Sequence, residues 1–182
     1  IISKGNCMKV LILSHNTGGG HNSAANALKE EFDKQNIECS IAYANVSVKK
    51  VEENKTKDNI ADTVVKIIPK IYRFIYILGE LYNKSKIKSP LYGFNKIYAK
   101  NLGRFIDENK YDVVIATHLF PGQTLTFLNK KQKSIHFITI STDYVCVPLW
   151  HELKPDYCVI PSKDLTNSFI KRGIDKKEIL SF

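Results

Sequence analysis

The start of the chain combines an apolar run, a glycine-rich break and an amphipathic segment, and this order strongly limits the fold. Residues 9–15 (KVLILSH) are apolar and rich in β-forming residues, typical of a buried parallel strand. Residues 16–20 (NTGGG) interrupt the run, and apolar side chains then return at helical spacing, at Ala25, Leu28 and Phe32. In residues 37–43, apolar side chains alternate with polar or small ones, which indicates a second strand. A strand, glycine loop, helix and strand in this order open a Rossmann-like parallel sheet.

The second half of the chain repeats this alternation of strands and helices. The sequence predicts strands over residues 111–117, 135–142 and 157–160, and helices over residues 122–131 and 163–172. Gly173 follows the last helix, where a glycine cap is expected. The pattern therefore predicts an α/β protein in which helices flank a parallel sheet, without defining the strand order.

The cysteines and the N-terminal residues exclude some classes of protein. The four cysteines contain no C-x-x-C pair, which argues against a zinc knuckle and a disulfide framework and suits a reducing cytoplasm. Residues 1–9 lack the apolar core and cleavage site of a signal peptide.

Positive charge is concentrated in the middle of the chain. Residues 46–104 hold 13 Lys and Arg against 5 Asp and Glu, a local balance of +8 in a chain of net charge +9. Residues 60–106 also carry many aliphatic and tyrosine side chains, but charges and Pro69 interrupt them too often for a membrane span. Three interpretations stay open: a helical pair packed on the sheet with a solvated basic face, a peripheral membrane surface, or an RNA-binding surface. Large aliphatics disfavour RNA, and the predicted membrane surface comprises Lys66, Lys70, Arg73, Tyr76, Lys84, Lys86 and Lys88.

The glycine loop carries the strongest chemical signal. Gly18, Gly19 and Gly20 allow a ligand to approach the backbone closely, and the N-terminus of the following helix suits an anion. The loop fits neither the nucleoside-triphosphate motif G-x-x-x-x-G-K-[ST] nor the dinucleotide motif G-x-G-x-x-G. The positive helix end disfavours an imidazolium at His21, which predicts a general base for an alcohol. A tight structural turn with a capping histidine is the alternative.

Polar residues follow two further predicted strands. His118 ends one strand and Asp143 ends the next. Because ligands gather beyond the carboxyl ends of parallel strands, we expect these two residues and His21 to lie at one crevice. A strand-terminal histidine or aspartate also serves commonly as a loop cap, and that interpretation stays open.

Four segments of the chain carry a family resemblance: VLILSHNTGGGHNSAANALKEEF, ATHLFPGQTL, TDYVCVPLW and PDYCVIPS. In this order they resemble monogalactosyldiacylglycerol synthase and the processive diacylglycerol glucosyltransferases of bacteria. The resemblance implies the N-terminal, acceptor-side half of a GT-B glycosyltransferase, which transfers a hexose from a UDP-sugar with inversion and without a metal. It implies catalytic roles for His21, the base, and Asp143, the acidic residue of the T-D motif. The implied substrate-side residues are Gly18, Gly19, Gly20, Asn22, His118, Pro121 and Trp150.

The resemblance also implies partners and a domain organisation. We expect residues 1–182 to form the acceptor-side domain, residues 60–106 to be a helical insertion facing membrane and acceptor, and an absent C-terminal domain to bind the UDP-sugar. The chain alone is then expected to be inactive. The expected partners are diacylglycerol, UDP-sugar and an anionic membrane surface, with a peripheral location on the cytoplasmic face of the cell membrane and no nucleic acid.

One departure from the family leaves the acceptor open. Cys146, Val147 and Pro148 fill an interval in which many relatives carry a histidine. Two alternatives therefore stand beside the diacylglycerol hypothesis. One is a glycosyltransferase acting on a polyprenyl-linked cell-wall precursor. The other is a non-catalytic membrane- or RNA-binding module with a Rossmann-like core.

Overall fold

The computed structural model describes residues 8–15, 19–43, 90–131 and 134–181, with side chains from Ala99 onwards in the third segment. Ten helices and strands of these segments define the fold. In chain order they are β1 (Lys9–Ser14), α1 (Gly19–Lys34), β2 (Glu38–Tyr43), α2 (Pro90–Asn109), β3 (Val113–Ala116), α3 (Leu119–Lys130), β4 (Phe137–Ile140), β5 (Tyr157–Ile160), α4 (Thr166–Lys171) and β6 (Ile179–Ser181).

The six strands form one parallel sheet in the order β2-β1-β3-β4-β5-β6. The chain runs from β1 outward to β2 and later continues on the other side of β1 with β3. This reversal of direction creates a crevice beyond the carboxyl ends of β1 and β3, the position at which open α/β sheets bind ligands. We call the edge where the strands end the carboxyl edge. The predicted α/β class and parallel sheet are confirmed.

Alternate residues of β1 pack against opposite layers of helices. Val10 and Ile12 face α1 and form a buried cluster with Ala25. Leu11 and Leu13 face the other side and pack with residues of α2 and α3. Since side chains alternate along a strand, a strand that is buried on both faces must be apolar throughout. The uninterrupted apolar sequence of β1 follows from its place inside a three-layer fold.

Helix α2 contains the last part of the basic region identified in the sequence. Ala99 and Ile106 are buried against the sheet, whereas Lys100 and Arg104 are exposed. This part is therefore a helix packed on the sheet with a solvated basic face. Residues 60–89 lie outside the described part of the chain. Within the described segments, no helix has the length and apolar character needed to cross a bilayer.

The main differences from the sequence prediction in the second half concern two helices and one strand. Helix α3 begins at Leu119 instead of residue 122, because the backbone of His118 already adopts the extended N-cap conformation. Residues 163–172 form a 3₁₀ turn followed by the short helix α4 rather than one helix. Strand β6 was not predicted, since three residues are too few for a periodic signal. Gly173 has φ +89°, which confirms the predicted glycine cap.

Gly122 lies where α3 approaches the segment after β4 most closely. A Cβ atom at this position would stand 2.5 Å from Cδ2 of Leu153 and 3.3 Å from Cγ2 of Thr139. Both neighbours are buried, so neither side chain has free space to move into. Gly122→Ala should lower the free energy of unfolding by up to about 2 kcal/mol, because overpacking costs about 1–3 kcal/mol and the helix propensity gained offsets about 1 kcal/mol of it. Urea unfolding measures the change.

Gly19→Ala is the matched control for this prediction. Gly19 also lies in a helix, but it is exposed and an added Cβ would meet no atom within 4 Å. The control should keep or raise the free energy of unfolding by up to about 1 kcal/mol. Equal effects of the two substitutions would contradict the packing argument.

Candidate functional site

The first turn of α1 stands directly above the end of β1. Gly19 and Gly20 are exposed members of this turn, not of a preceding loop as the sequence suggested, and Gly18 lies outside the described residues. Ser14 at the end of β1 donates a hydrogen bond of 2.7 Å from Oγ to Oδ1 of Asn22. This bond ties the strand to the helix and holds the start of α1 over the carboxyl edge.

His21 reaches from α1 across the crevice to two other segments. Its Nδ1 lies 2.8 Å from the backbone oxygen of Thr117, which follows β3. The same Nδ1 lies 2.7 Å from Oγ1 of Thr142, which follows β4. The ring is partly buried, so it is neither free in solvent nor enclosed in the core. Three segments that are remote in sequence therefore meet at one imidazole nitrogen.

The contact with Thr117 defines the tautomer of the neutral ring. A carbonyl oxygen only accepts hydrogen bonds, so Nδ1 must carry the hydrogen and donate it. A neutral imidazole has one N–H, which leaves Nε2 with a lone pair. Within the described segments, Nε2 has no hydrogen-bond partner. The geometry thus provides a proton acceptor of the kind that a general base requires.

His118 forms one wall beside His21. The two rings meet edge to face with their centroids 4.5 Å apart, and His15 stacks on His118 at 4.7 Å. His118 is buried and its Nδ1 accepts a hydrogen bond of 3.2 Å from the backbone N–H of Phe120, which caps α3. Burial, followed by the proximity of His15 and His21, lowers the pKa of His118 from 6.5 to about 2. His118 is therefore a neutral wall and cap.

Asp143 lies at the same edge but does not contact His21. Its carboxylate is exposed and has no hydrogen-bond or ion-pair partner in the described part of the chain, while its backbone oxygen accepts from Oγ of Ser141. The neighbouring Thr142 makes the contact instead. A catalytic role for Asp143 stays a prediction. Thr117 and Thr142 are the residues that sequence reasoning missed, and only their place one step before His118 and Asp143 pointed to them.

Two further predicted site residues lie in the packed interior. Pro121 is buried in the first turn of α3. Trp150 is 3% exposed and packs edge to face on Phe169, with ring centroids 5.3 Å apart. The structure therefore places these side chains beneath the carboxyl edge rather than at its surface. Their roles toward a substrate stay predictions.

The predicted membrane surface falls in a segment that the structure does not describe. This applies to Lys66, Lys70, Arg73, Tyr76, Lys84, Lys86 and Lys88. For the residues that are described, no group of three or more His, Cys, Asp and Glu side chains is arranged to hold a metal ion.

Sequence comparisons relate nearly the whole chain to one family. The profile of the family described as monogalactosyldiacylglycerol (MGDG) synthase matches residues 21–182. Monogalactosyldiacylglycerol synthase 3, chloroplastic, of Arabidopsis thaliana is 28% identical over 185 residues, which cover 95% of this chain and 38% of the relative. Synthase 2, chloroplastic, of the same plant is 27% identical with the same coverage. The chain thus spans about two fifths of the length of these relatives.

A structural comparison supports the fold assignment. The apo form of lipopolysaccharide outer core galactosyltransferase WaaB superposes with a TM-score of 0.56 at 14% sequence identity, over 95% of this chain and 44% of WaaB. The predicted fold, one Rossmann-like half of a GT-B architecture, is confirmed by this match together with the parallel sheet.

The neutral state of His118 makes the stability of the chain depend on pH. The folded pKa is about 2 and the ordinary value is 6.5, so between these values the unfolded chain binds more protons than the folded chain. The contribution is complete above pH 6.5 and is lost as the pH falls toward 2. His118→Asn keeps the helix cap and removes the titrating ring. The free energy of unfolding of the variant should rise less steeply with pH than that of the unchanged chain, by up to about 1.4 kcal/mol per pH unit.

Urea unfolding at several values between about pH 7.5 and about pH 4.5 checks this prediction. The other histidines are common to both proteins, so the difference between the two slopes isolates residue 118. Equal slopes would contradict the prediction, because they would mean that His118 takes up its proton in the folded chain near pH 6.5, as it does in the unfolded chain.

Proposed function

Because the chain belongs to the monogalactosyldiacylglycerol synthase family, we propose that it is the acceptor-side half of a glycosyltransferase that moves a hexose from a UDP-sugar to diacylglycerol. The observation that carries this proposal is the state of His21, whose Nδ1 donates to Thr117 and whose Nε2 keeps a lone pair at the carboxyl edge. A lipid alcohol is a poor nucleophile near neutral pH until its proton is removed.

In the proposed reaction the acceptor hydroxyl attacks the anomeric carbon of the sugar in a single displacement. The hydroxyl proton passes to Nε2 of His21 as the new C–O bond forms. The bond from the anomeric carbon to the UDP oxygen breaks, and UDP leaves with the bonding electron pair. One displacement inverts the anomeric centre, so an α-linked donor gives a β-glycoside. We propose that the step needs no metal and no resident cofactor.

The start of α1 suits the charge that this reaction creates. Backbone N–H groups in the first turn of a helix have no partner within the helix, and the helix dipole adds positive potential there. Gly19 and Gly20 are exposed, and the space around their Cα atoms is open. A diphosphate can therefore approach this backbone without meeting a side chain. In the proposed function this turn stabilises the departing UDP.

Exposed apolar residues next to the site support a lipid acceptor. Tyr144 is 77% exposed and Val145 is 51% exposed, and both follow Thr142 closely in the chain. Diacylglycerol keeps its acyl chains in the bilayer because each CH₂ removed costs about 0.8 kcal/mol. Its hydroxyl therefore meets a base only where the mouth of the site touches the membrane interface. Apolar side chains at that mouth suit such a contact.

The rest of the proposal concerns the whole protein. We propose that a second Rossmann-like domain binds the UDP-sugar, that residues 1–182 alone do not transfer sugar, and that the protein lies peripherally on the cytoplasmic face of the cell membrane. The excess of Lys and Arg over residues 46–104 supports attraction to anionic lipids.

His21→Ala in the whole protein tests the base assignment. Transfer of radiolabelled hexose from UDP-galactose or UDP-glucose to diacylglycerol in mixed micelles should fall by about 10²- to 10⁴-fold in kcat/KM, the usual contribution of general base catalysis. His136→Ala is the control, since this ring is exposed at the start of β4, at the opposite edge of the sheet. Near-normal transfer by the His21 variant would reject the assignment.

Binding of the chain to vesicles tests the lipid-facing mouth. Replacing both Tyr144 and Val145 by Ser should weaken binding to vesicles of phosphatidylglycerol and phosphatidylcholine by about tenfold, because two apolar side chains no longer enter the interface. Added salt should weaken the binding of every variant.

Tyr157→Ser is the matched control for the vesicle experiment. Tyr157 is also an exposed tyrosine, at 47%, but it begins β5 and so lies at the edge opposite the site. The control should bind vesicles like the unchanged chain. Equal losses in the two variants would mean that exposure alone, and not position at the site, governs binding.

A further inference from the structure

The hydroxyl of Thr142 is the second acceptor at Nδ1 of His21, and only the tertiary fold brings the two groups together. Oγ1 lies 2.7 Å from Nδ1 in a partly buried environment, and the two residues are 121 positions apart in sequence. No helix or turn shared by the two residues accounts for this contact. It exists because β4 carries Thr142 to the carboxyl edge next to the start of α1.

The hydrogen on Nδ1 of His21 makes Thr142 a hydrogen-bond acceptor. Nδ1 donates its hydrogen toward the carbonyl of Thr117 at 2.8 Å, so it has no lone pair to offer the threonine hydroxyl. Oγ1 of Thr142 therefore shares that hydrogen as a second acceptor. The two acceptors approach the same N–H from different strands, and the edge contact with His118 limits the ring from another side.

We propose that Thr142 is a positioning residue for His21: its hydroxyl holds the imidazole in the orientation and tautomer that present Nε2 to the acceptor alcohol. This inference rests on the proposed function of His21 as the base. The carbonyl of Thr117 selects the Nδ1–H tautomer only while the ring stays against it. As a single acceptor it would permit the ring to swing away about its bonds to the backbone and then exchange tautomers. A second acceptor on a separate segment restricts that swing.

The chemistry of the hydroxyl distinguishes this device from a histidine–carboxylate pair. A carboxylate beside Nδ1 would favour the charged imidazolium, whereas a neutral hydroxyl orients the ring without adding a negative charge. The adjacent Asp143 would be the obvious carboxylate, yet its side chain is exposed and does not reach the ring. The neutral acceptor lies next to the base, and the charged side chain makes no contact with it.

Two substitutions separate the hydroxyl from the rest of the side chain. Thr142→Val keeps the shape and removes the hydroxyl, while Thr142→Ser keeps the hydroxyl and removes the methyl group. Thr139→Val is the matched control, because Thr139 is a buried threonine in β4, three residues before Thr142, that does not contact His21. Circular dichroism and urea unfolding verify that each variant is folded before its site is compared.

The first readout is the tautomer of His21, measured on the 182-residue chain by long-range ¹H–¹⁵N correlation of its histidine rings. Signals are assigned to His21 from the spectrum of His21→Ala. The unchanged chain, Thr142→Ser and Thr139→Val should show a protonated Nδ1 and an unprotonated Nε2. Thr142→Val should show averaging of the two nitrogens through exchange of tautomers. A protonated Nε2 in the unchanged chain would overturn the proposal without any variant.

The second readout is transfer to diacylglycerol by the whole protein. Thr142→Val should lower kcat about tenfold, the effect of losing one hydrogen bond of about 1.4 kcal/mol, with KM for diacylglycerol unchanged within about twofold. Thr142→Ser should stay within about threefold of the unchanged protein. Wild-type kcat in the valine variant, or equal losses in the valine and serine variants, would overturn the positioning role.

The failure of this inference is distinguishable from the failure of the proposed function. If His21→Ala abolishes transfer while Thr142→Val leaves kcat and the tautomer unchanged, only the positioning role is rejected. If His21→Ala retains transfer, the base assignment fails whatever the threonine variants do.

Discussion

The backbone ladder between β1 and β3 is the interaction on which the site depends. These two strands pair in parallel with Leu13 opposite Ala116, and the N–H of Thr117 donates to the carbonyl of Leu13 at 3.0 Å. The ladder stops at this point, so the carbonyl of Thr117 has no next strand residue to bind. It accepts from His21 instead. A shift of one residue in the register would turn this carbonyl away and move each side chain of β3 to the opposite helix layer.

The candidate site orients its histidine with neutral groups. A carbonyl oxygen, a hydroxyl and the edge of an uncharged His118 ring surround His21. Neutral acceptors orient the ring without placing a charge beside the group that is proposed to take up a proton. Burial keeps His118 uncharged, so this neighbour also adds no positive charge beside the base. The electrostatics of the site therefore follow from which groups are buried, not from a charged partner.

Three residues hold the fold under the site, and two of them, Trp150 and His118, looked functional in the sequence. Gly122 lets α3 approach Leu153, Trp150 packs on Phe169, and His118 caps α3. These positions share one reason for their residue types, the close packing of the segments that follow β3 and β4. The same packing places Thr117 and Thr142 at the carboxyl edge. In these short segments, residues that pack the fold stand beside residues that contact His21. Motif positions alone therefore did not separate the two kinds.

The sequence by itself determined the elements and the chemical character of the first loop. Apolar runs predicted β1 and the later strands, and apolar residues at helical spacing predicted α1, because burial leaves these patterns in the local sequence. The glycine-rich stretch that ends at His21 likewise indicated the start of a helix that a ligand can approach. Only the tertiary structure decided what His21 touches, since its partners lie 96 and 121 residues further along the chain. Strand order and register bring those atoms together, and neither leaves a local pattern in the sequence.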